Sequence, residues 1–274
     1  MPRTTGPVSV DYPEDGWLRG YFNSNESDKV NGEASSVYWQ KNIDFLRLRD
    51  AGLHALNCEP GQVILDLGCA DGATMTYCGL QGATVYGQDL DSEMVRKANS
   101  LLQRYNIHGE ARCGDAANLS FADSHFDGVI SSDFFEHISD EGKVEVLKEV
   151  YRVLKPGKKL IIKTPNLSYL KLSLRFKQLR GMMRFENPRR YVIPHTPGTA
   201  DPQHIGLNSR WQLTRSLLEA GFLNYRFFYA PLRRFGVSPL IEILSTEIPV
   251  VRDLLCEELF CVAFKPIVLS HFPD

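Results

Sequence analysis

The sequence predicts an α/β fold: a mostly parallel sheet of seven strands, helices on both faces, and a lid insert. Three observations predict it. From residue 62 to 164, short apolar runs alternate with helix-length segments. That alternation means crossover connections and a parallel sheet. The first run, "QVILDLG", is unbroken and bounded by Gly, as expected for a strand buried on both faces. The rhythm then breaks over residues 166–206 and resumes with one more helix and two more strands.

Taken in order, residues 1–32 are polar and rich in Gly, Pro and Asn, and read as a loose arm. Residues 34–56 carry Ile43, Leu46, Leu53 and Leu56 at helical spacing, giving an amphipathic helical cover. "QVILDLG" is the first strand and "ATVYGQDL" (83–90) the second, followed by the helix "SEMVRKANSLLQRY". "GEARCGDA" ends the third strand, and "FDGVISSD" (126–133) is the fourth. "SDEGKVEVLKEVYRVLKPG" (139–157) is a helix with Ser139 as its N-cap and a Pro-Gly stop. "KKLIIKT" (158–164) is the fifth strand. "NSRWQLTRSLLEAGF" is a helix capped by Asn208 or Ser209 and ended by Gly221. "FLNYRFFYA" and "EELFCVAFKP" supply the last two strands, with a second apolar insert at 235–255 between them. The domain plan is an arm and cover over 1–57, one α/β domain over 58–266 holding both inserts, and a tail at 267–274.

Composition narrows the function classes. Of 274 residues, 43% are hydrophobic and 23% charged, as in an ordinary globular protein. The net charge of −2 gives no global basic field, so nucleic acid is not the expected partner. The six cysteines form no CxxC pair, and no His joins them at zinc-ligand spacing. They read as reduced cysteines of a cytoplasmic protein, and no metal is expected. No apolar run is long enough to span a bilayer, and "MPRTTGPVSVDYPEDG" lacks the apolar core of a signal peptide.

The stretch "VILDLGCADGATMTYCG" (63–79) is a strand, a Gly turn and a helix, the usual place to hold a cofactor. A P-loop needs GxxxxGK[ST], and no such Lys follows Gly68. A dinucleotide turn needs GxGxxG, but Ala70 and Ala73 stand at the second and third positions. What stands here is Asp66, Gly68, Cys69, Ala70, Asp71 and Gly72. This resembles the DxGxGxG motif of class I S-adenosylmethionine-dependent methyltransferases, with Ala70 at the second glycine. That ligand has no phosphate but carries a carboxylate and an ammonium. Backbone N–H groups at a helix start favour the carboxylate, while Asp66 can orient the loop or meet the ammonium. The plainer alternative is a βα turn that needs Gly for tightness.

Further segments resemble the same family. "VYGQDLDSEMVRKA" looks like its second motif, with Asp89 and Leu90 at the strand end. A carboxylate accepts two hydrogen bonds at once, so Asp89 can hold both ribose hydroxyls. The helix-capping alternative is already filled by Asp91 or Ser92. "CGDAANLSF" puts Asp115 and Ala116 where the resemblance implies contact with the adenine amino group. "FDGVISSDFFEHI", with Ser132 and Asp133, resembles the fourth motif, and "VLKPGKKLIIKTPN" the fifth. "HIGLNSRWQLTRSLLEAGF" resembles the late helix. The resemblance runs from about Gly61 to Pro266. It implies a Rossmann-like fold and S-adenosyl-L-methionine as cofactor, with S-adenosyl-L-homocysteine as product.

The expected acceptor is a small molecule. The [DNS]PP[YFW] motif of base-amino methyltransferases is replaced by "SSDFFEHI", and no Pro-Cys nucleophile pair occurs. No ligand cluster accompanies Asp133 in the sequence. "KTPN" and "DPQHIGLNS" resemble O-methyltransferases of the ubiquinone-biosynthesis type and relatives acting on natural products, sugars or lipid-linked precursors. An oxygen acceptor needs its proton removed. His204 is the first candidate, since the insert returns there to the mouth of the sheet, and His137 is the second. Asn166, Tyr169, His195 and Arg175 are candidate acceptor contacts. Between Ser168 and Ile193 there are seven Lys or Arg and one acid, Glu186. Leu172, Phe176, Leu179 and Met183 share a helical face flanked by Arg175, Lys177, Arg180 and Arg184. A basic amphipathic helix suits an anionic substrate or peripheral membrane contact through 168–185. The alternative is a lid helix whose apolar stripe is core. Against O-methylation stand N- or C-methylation, and a cofactor-binding protein that serves as an assembly partner.

Overall fold

Adjacent residues of a strand point to opposite faces, so a strand buried on both sides is mostly apolar. The first strand obeys this in the computed structural model, which describes residues 51–200, 202–229 and 248–267. The expected arm at 1–32, the cover up to residue 50, Asp201, the insert between 235 and 247 and the tail beyond 267 lie outside the described residues. The strands are β1 (Val63–Leu67), β2 (Thr84–Asp89), β3 (Gly109–Cys113), β4 (Phe126–Ser132), β5 (Leu154–Pro165), β6 (Asn224–Phe228) and β7 (Glu258–Phe264). The helices are α1 (Ala73–Leu80), α2 (Ser92–Arg104), α3 (Asp140–Val153), α4 (Leu167–Met183), α5 (Arg210–Glu219) and α6 (Pro249–Leu255).

The seven strands form one sheet in the order β3-β2-β1-β4-β5-β7-β6. β1 pairs in parallel with both β2 and β4. β7 runs antiparallel to its neighbours β5 and β6. The expected Rossmann-like sheet is therefore present. Strand order reverses between β1 and β4, and the crevice outside the carboxyl ends there is where such sheets bind ligands.

Two apolar layers cover the sheet, and the pleat sorts residues between them. Leu65, Val129, Leu160 and Ile162 join one layer with Phe126, Phe135, Leu147 and Leu213. Their neighbours Ile64, Ile130 and Ile161 join the other, with Met75, Val85 and Val95. Residues 51–56 are helical, the end of the expected cover, and Leu53 and Leu56 are buried in this second layer.

One expectation is corrected, and two open alternatives are decided. The helix from Ser139 ends at Val153, and β5 begins at Leu154 rather than Lys158. Leu154 pairs with Phe126, and the register then shifts before Gly128 pairs with Lys159. The Pro156-Gly157 pair thus lies in an irregular part of a strand. Ser209, not Asn208, caps α5, with a capping box in which the Gln212 side chain also accepts from the Ser209 N–H. The apolar face of α4 is not core: Phe176 is 66% exposed and Met183 75%, with Leu172 and Leu179 also exposed. Among the residues of α4, only Gly181 is buried.

One ionic clamp fixes the loop after β3. Arg152 donates to the carbonyls of Leu119 and Phe121 and to the carboxylates of Asp123 and Glu149. Glu149 in turn accepts the N–H of Leu119, and the Arg152 hydrogen bond holds its carboxyl below the usual range. The clamp sets the position of the segment that starts at Asp115.

Candidate functional site

The turn after β1 is built from backbone bonds to β2. Gly68 N–H donates to the Gln88 carbonyl at 2.8 Å, and Cys69 N–H to the same oxygen at 3.2 Å. Gly68 has φ +68, and a Cβ there would sit 2.8 Å from the Phe134 side chain. Glycine is required on both counts. Ala70 stands where the motif has its second glycine, and its φ is +46. An alanine in that left-handed region costs roughly 1–2 kcal/mol. The turn is held against that cost by Asp89, whose Oδ2 accepts the Ala70 N–H at 2.8 Å. Gly72 then starts α1, and no side chain caps that helix.

The cofactor-side acids fall along this rim. Asp66 is buried at the end of β1. Asp89 also accepts the Asp91 N–H through Oδ1 at 2.9 Å. A carboxylate has about four acceptor positions, so both oxygens keep capacity for a ligand. Asp91 caps α2 by accepting from Glu93 and Met94, so Asp89 is not needed as the cap. Leu90 beside it is 71% exposed, an apolar surface at the rim. Asp115 accepts from Ala117 N–H, and its carbonyl is held by Gln88 Nε2 at 3.1 Å. Ala116 is buried behind it. Burial, and then the charges of Asp66 and Asp89, push the Cys69 thiol up. The turn therefore lies in a negative field, which favours a ligand carrying positive charge.

The segment after β4 links this rim to a second cluster. Ser132 ends β4, and Asp133 follows with φ +55. Lys163, nearly buried, donates to both Asp133 oxygens at 2.6 Å and lies 3.7 Å from Glu258. Burial alone would lower its ammonium, but Glu258 and Asp133 outweigh it and hold it above its ordinary value. Phe134 packs on Gly68. Glu136 is buried and accepts from Thr164 Oγ1 at 3.0 Å. Burial first, and then the charge of Asp133, push its carboxyl up to about 7.

A strap from the end of the insert closes on this turn. Gly206 N–H donates to the Glu136 carbonyl at 2.9 Å. The Gly206 carbonyl accepts from Lys143 Nζ at 2.6 Å and Asn208 Nδ2 at 3.0 Å. Lys143 is fully buried and its ammonium is also bonded to Asp140. A Cβ on Gly206 would lie 1.8 Å from the Ile138 carbonyl oxygen, so no other residue fits. His137 Nδ1 meets the Gln203 carbonyl at 3.1 Å. The His137 and His204 rings are 5.1 Å apart, and His195 and His204 5.2 Å. His204 N–H donates to the His195 carbonyl at 2.7 Å.

His204, His137 and His195, three separate candidates in the sequence, are thus brought together. Sequence reading found no ligand cluster around Asp133, but a set of possible ligands stands nearby. Ligand atoms of Glu136, His137 and His204 all lie within 4.8 Å of one another. Asn166 is corrected. It is buried, its Oδ1 accepts from Ser168 N–H, and its Nδ2 donates to the carbonyls of Asp253 and Cys256. With its amide so committed, it brackets α4 to α6 rather than meeting an acceptor. Tyr169 is half-buried in the first turn of α4, and Arg175 is exposed further along. Sequence reading noted Glu136 only as the neighbour of His137, and missed Lys143, Lys163 and Gly206. The lysine inside the apolar run "LIIKT" was the one local signal: a buried charge requires partners.

Comparison with known proteins was made against this geometry. Residues 65–162 match the family model described as a methyltransferase domain. A phosphoethanolamine N-methyltransferase 2 of Caenorhabditis elegans is 34% identical over 124 residues, 43% of this chain and 27% of that protein. The O-methyltransferase cnsE of Penicillium expansum is 32% identical over 117 residues, 42% of this chain and 41% of that protein. The chain spans less than half the length of these curated relatives. A solved S-adenosylmethionine-dependent methyltransferase of Archaeoglobus fulgidus is similar with a TM-score of 0.55 and 20% identity, covering 80% of this chain and 93% of that one. At that identity the likeness establishes the fold alone.

Proposed function

We propose that the chain, whose residues 65–162 match a methyltransferase-domain model, transfers a methyl group from S-adenosylmethionine to a hydroxyl of a small molecule. The acceptor classes are natural products, sugars and lipid-linked precursors. When bound, S-adenosylmethionine supplies a methyl group on a positively charged sulfur and leaves as neutral S-adenosylhomocysteine. The chain's own residues bind, orient and move a proton. The N–H groups at the uncapped start of α1 favour the carboxylate of the ligand, and the acids around Cys69 favour its positive groups. Asp89 holds the ribose hydroxyls, and Asp115 with Ala116 meets the adenine, beside the exposed Leu90. Ser132 and Asp133 line the cofactor side of the link to the histidines.

The observation that carries an oxygen acceptor is the imidazole pair His137 and His204 beside Glu136, joined to the Gly68 turn through Phe134. As the O–CH₃ bond forms, the hydroxyl must lose its proton, and a neutral imidazole suits that near pH 7. His204 takes the proton, and His195 and Tyr169 contact the acceptor. The relatives include enzymes named for nitrogen and for oxygen, so the acceptor atom is tested directly. The chain is supplied with ¹³C-methyl S-adenosylmethionine and panels of hydroxyl and amine acceptors. A labelled methyl on oxygen, seen by NMR and product mass, is expected. A methyl on nitrogen or carbon alone would refute the O-methyl reading, and no turnover with any acceptor would favour an assembly role.

All six cysteines are free, which supports a cytoplasmic protein. No helix among the described residues is long and apolar enough to cross a membrane. Peripheral contact is supported by the exposed apolar face of α4 and its flanking arginines. Replacing Arg175, Arg180 and Arg184 together by Gln is expected to abolish binding to vesicles containing anionic lipid, or to raise the acceptor KM, with cofactor affinity kept. If neither property moves, the helix only covers the acceptor.

Asp89→Ala removes charge-assisted hydrogen bonds worth about 1.5–3 kcal/mol. The affinity for S-adenosylhomocysteine, measured by calorimetry, is therefore expected to fall at least about tenfold. Unchanged affinity would remove Asp89 from the ribose.

His204→Ala is expected to lower kcat by about 10²–10⁴ with cofactor affinity kept. If it leaves kcat intact while His137→Ala lowers it, the proton goes to His137. Full activity in both variants would remove the base from this cluster.

A further inference from the structure

Glu136 and His137 follow β4, and His204 arrives on the strap from the insert. Each offers one ligand atom, and these atoms lie within 4.8 Å of one another. Two imidazole nitrogens and one carboxylate oxygen suit first-row divalent cations, and the same donor set serves catalytic zinc sites.

The groups behind these three side chains are those that orient ligands. Thr164 Oγ1 donates to Glu136 Oε2 at 3.0 Å and fixes the carboxylate. His137 Nδ1 lies 3.1 Å from the Gln203 carbonyl. A carbonyl only accepts, so Nδ1 carries the proton and the lone pair of the neutral ring is on Nε2. The Glu136 carbonyl holds Gly206 N–H, which sets the distance between the strap and the turn. Glu136 is buried, whereas both imidazoles keep access to solvent. A cation can enter from that side, and its remaining positions stay exchangeable.

We propose that Glu136, His137 and His204 bind one divalent first-row cation, with open coordination positions toward the acceptor. This site does not depend on the methyl-transfer reading. Where both hold, the cation would polarise the acceptor hydroxyl and its proton would pass to solvent, which both imidazoles reach, with His204 as ligand in place of base. The metal-free expectation is then replaced.

Mn²⁺ is the probe, because it prefers nitrogen and oxygen to the thiolates of the six cysteines. The full chain is stripped with chelator and titrated, and loss of the free-ion EPR signal reports binding. One Mn²⁺ per chain is expected, displaced by Zn²⁺. Thr164→Val keeps all three ligands and loses only their support, so affinity is expected to fall about 10–100-fold. The double variant His137→Ala, His204→Ala is expected to bind none. Circular dichroism and S-adenosylhomocysteine affinity confirm that each variant is folded. No binding of Mn²⁺ or Zn²⁺ by the parent chain, or undiminished binding by the double variant, would overturn the site. A chain that methylates but binds no cation keeps the function and loses the site. One that binds the cation but methylates nothing keeps the site and loses the function.

Discussion

The peptide of Gly206 is the joint on which the histidine cluster depends. Its N–H is held by the Glu136 carbonyl and its carbonyl by the buried Lys143 ammonium. An ammonium fully removed from water is costly unless it is paired and hydrogen-bonded. Lys143 meets that condition through Gly206 and Asp140. Its burial lowers its ammonium below the ordinary lysine value, so these bonds offset a real desolvation cost. The strap cannot drift outward without leaving that charge short of a partner. It cannot move inward, because the Ile138 carbonyl is already in contact with the Gly206 Cα region. His204, two residues before the joint, is placed beside His137 as a consequence.

The cofactor side uses a different constraint. Ala70 is held in a left-handed conformation, and Asp89 supplies the hydrogen bond that keeps it there. The same carboxylate stands at the strand end where a ribose would lie. A change at Asp89 thus acts on both the turn and the ligand. The two halves meet at Phe134, which packs on Gly68 and sits between Asp133 and Glu136 in sequence. The switch point of the sheet places both halves at the carboxyl ends of β1 and β4.

The sheet was legible in the sequence because both of its faces are covered. The central strands β1, β4 and the end of β5 are then short apolar runs, whereas the edge strands β3 (GEARC) and β6 (NYRFF) are largely exposed and are marked by their place in the alternation. The turn after β1 was legible for a local reason, as glycines and acids at fixed spacing report backbone conformation. The histidine cluster was only half legible. His137 and His204 could be picked as residue types, but nothing local showed that Glu136 is buried or that its carboxylate lies within 4.8 Å of a nitrogen of each ring. That depends on a contact between distant segments, which no local pattern encodes. Asn166 misled because an amide at a strand end can either face a ligand or cap the next helix, and here it caps. The α4 face was legible as a face, with its cover left open. Its spacing is that of a core stripe, yet the side chains are exposed, since periodicity reports that a face exists and not what covers it.

The central claim is that the strap at Gly206 makes the acceptor site, while the turn at Gly68 makes the cofactor site. The Gly206→Ala variant separates the two most directly, because its Cβ pushes the strap from Ile138 without touching β1 or β2. Methyl transfer and S-adenosylhomocysteine affinity are measured on the same folded sample. In that variant kcat is expected to fall by about 10²-fold or more, with cofactor affinity unchanged. Full kcat would contradict the claim, because the histidines would then serve the reaction without the strap that places them.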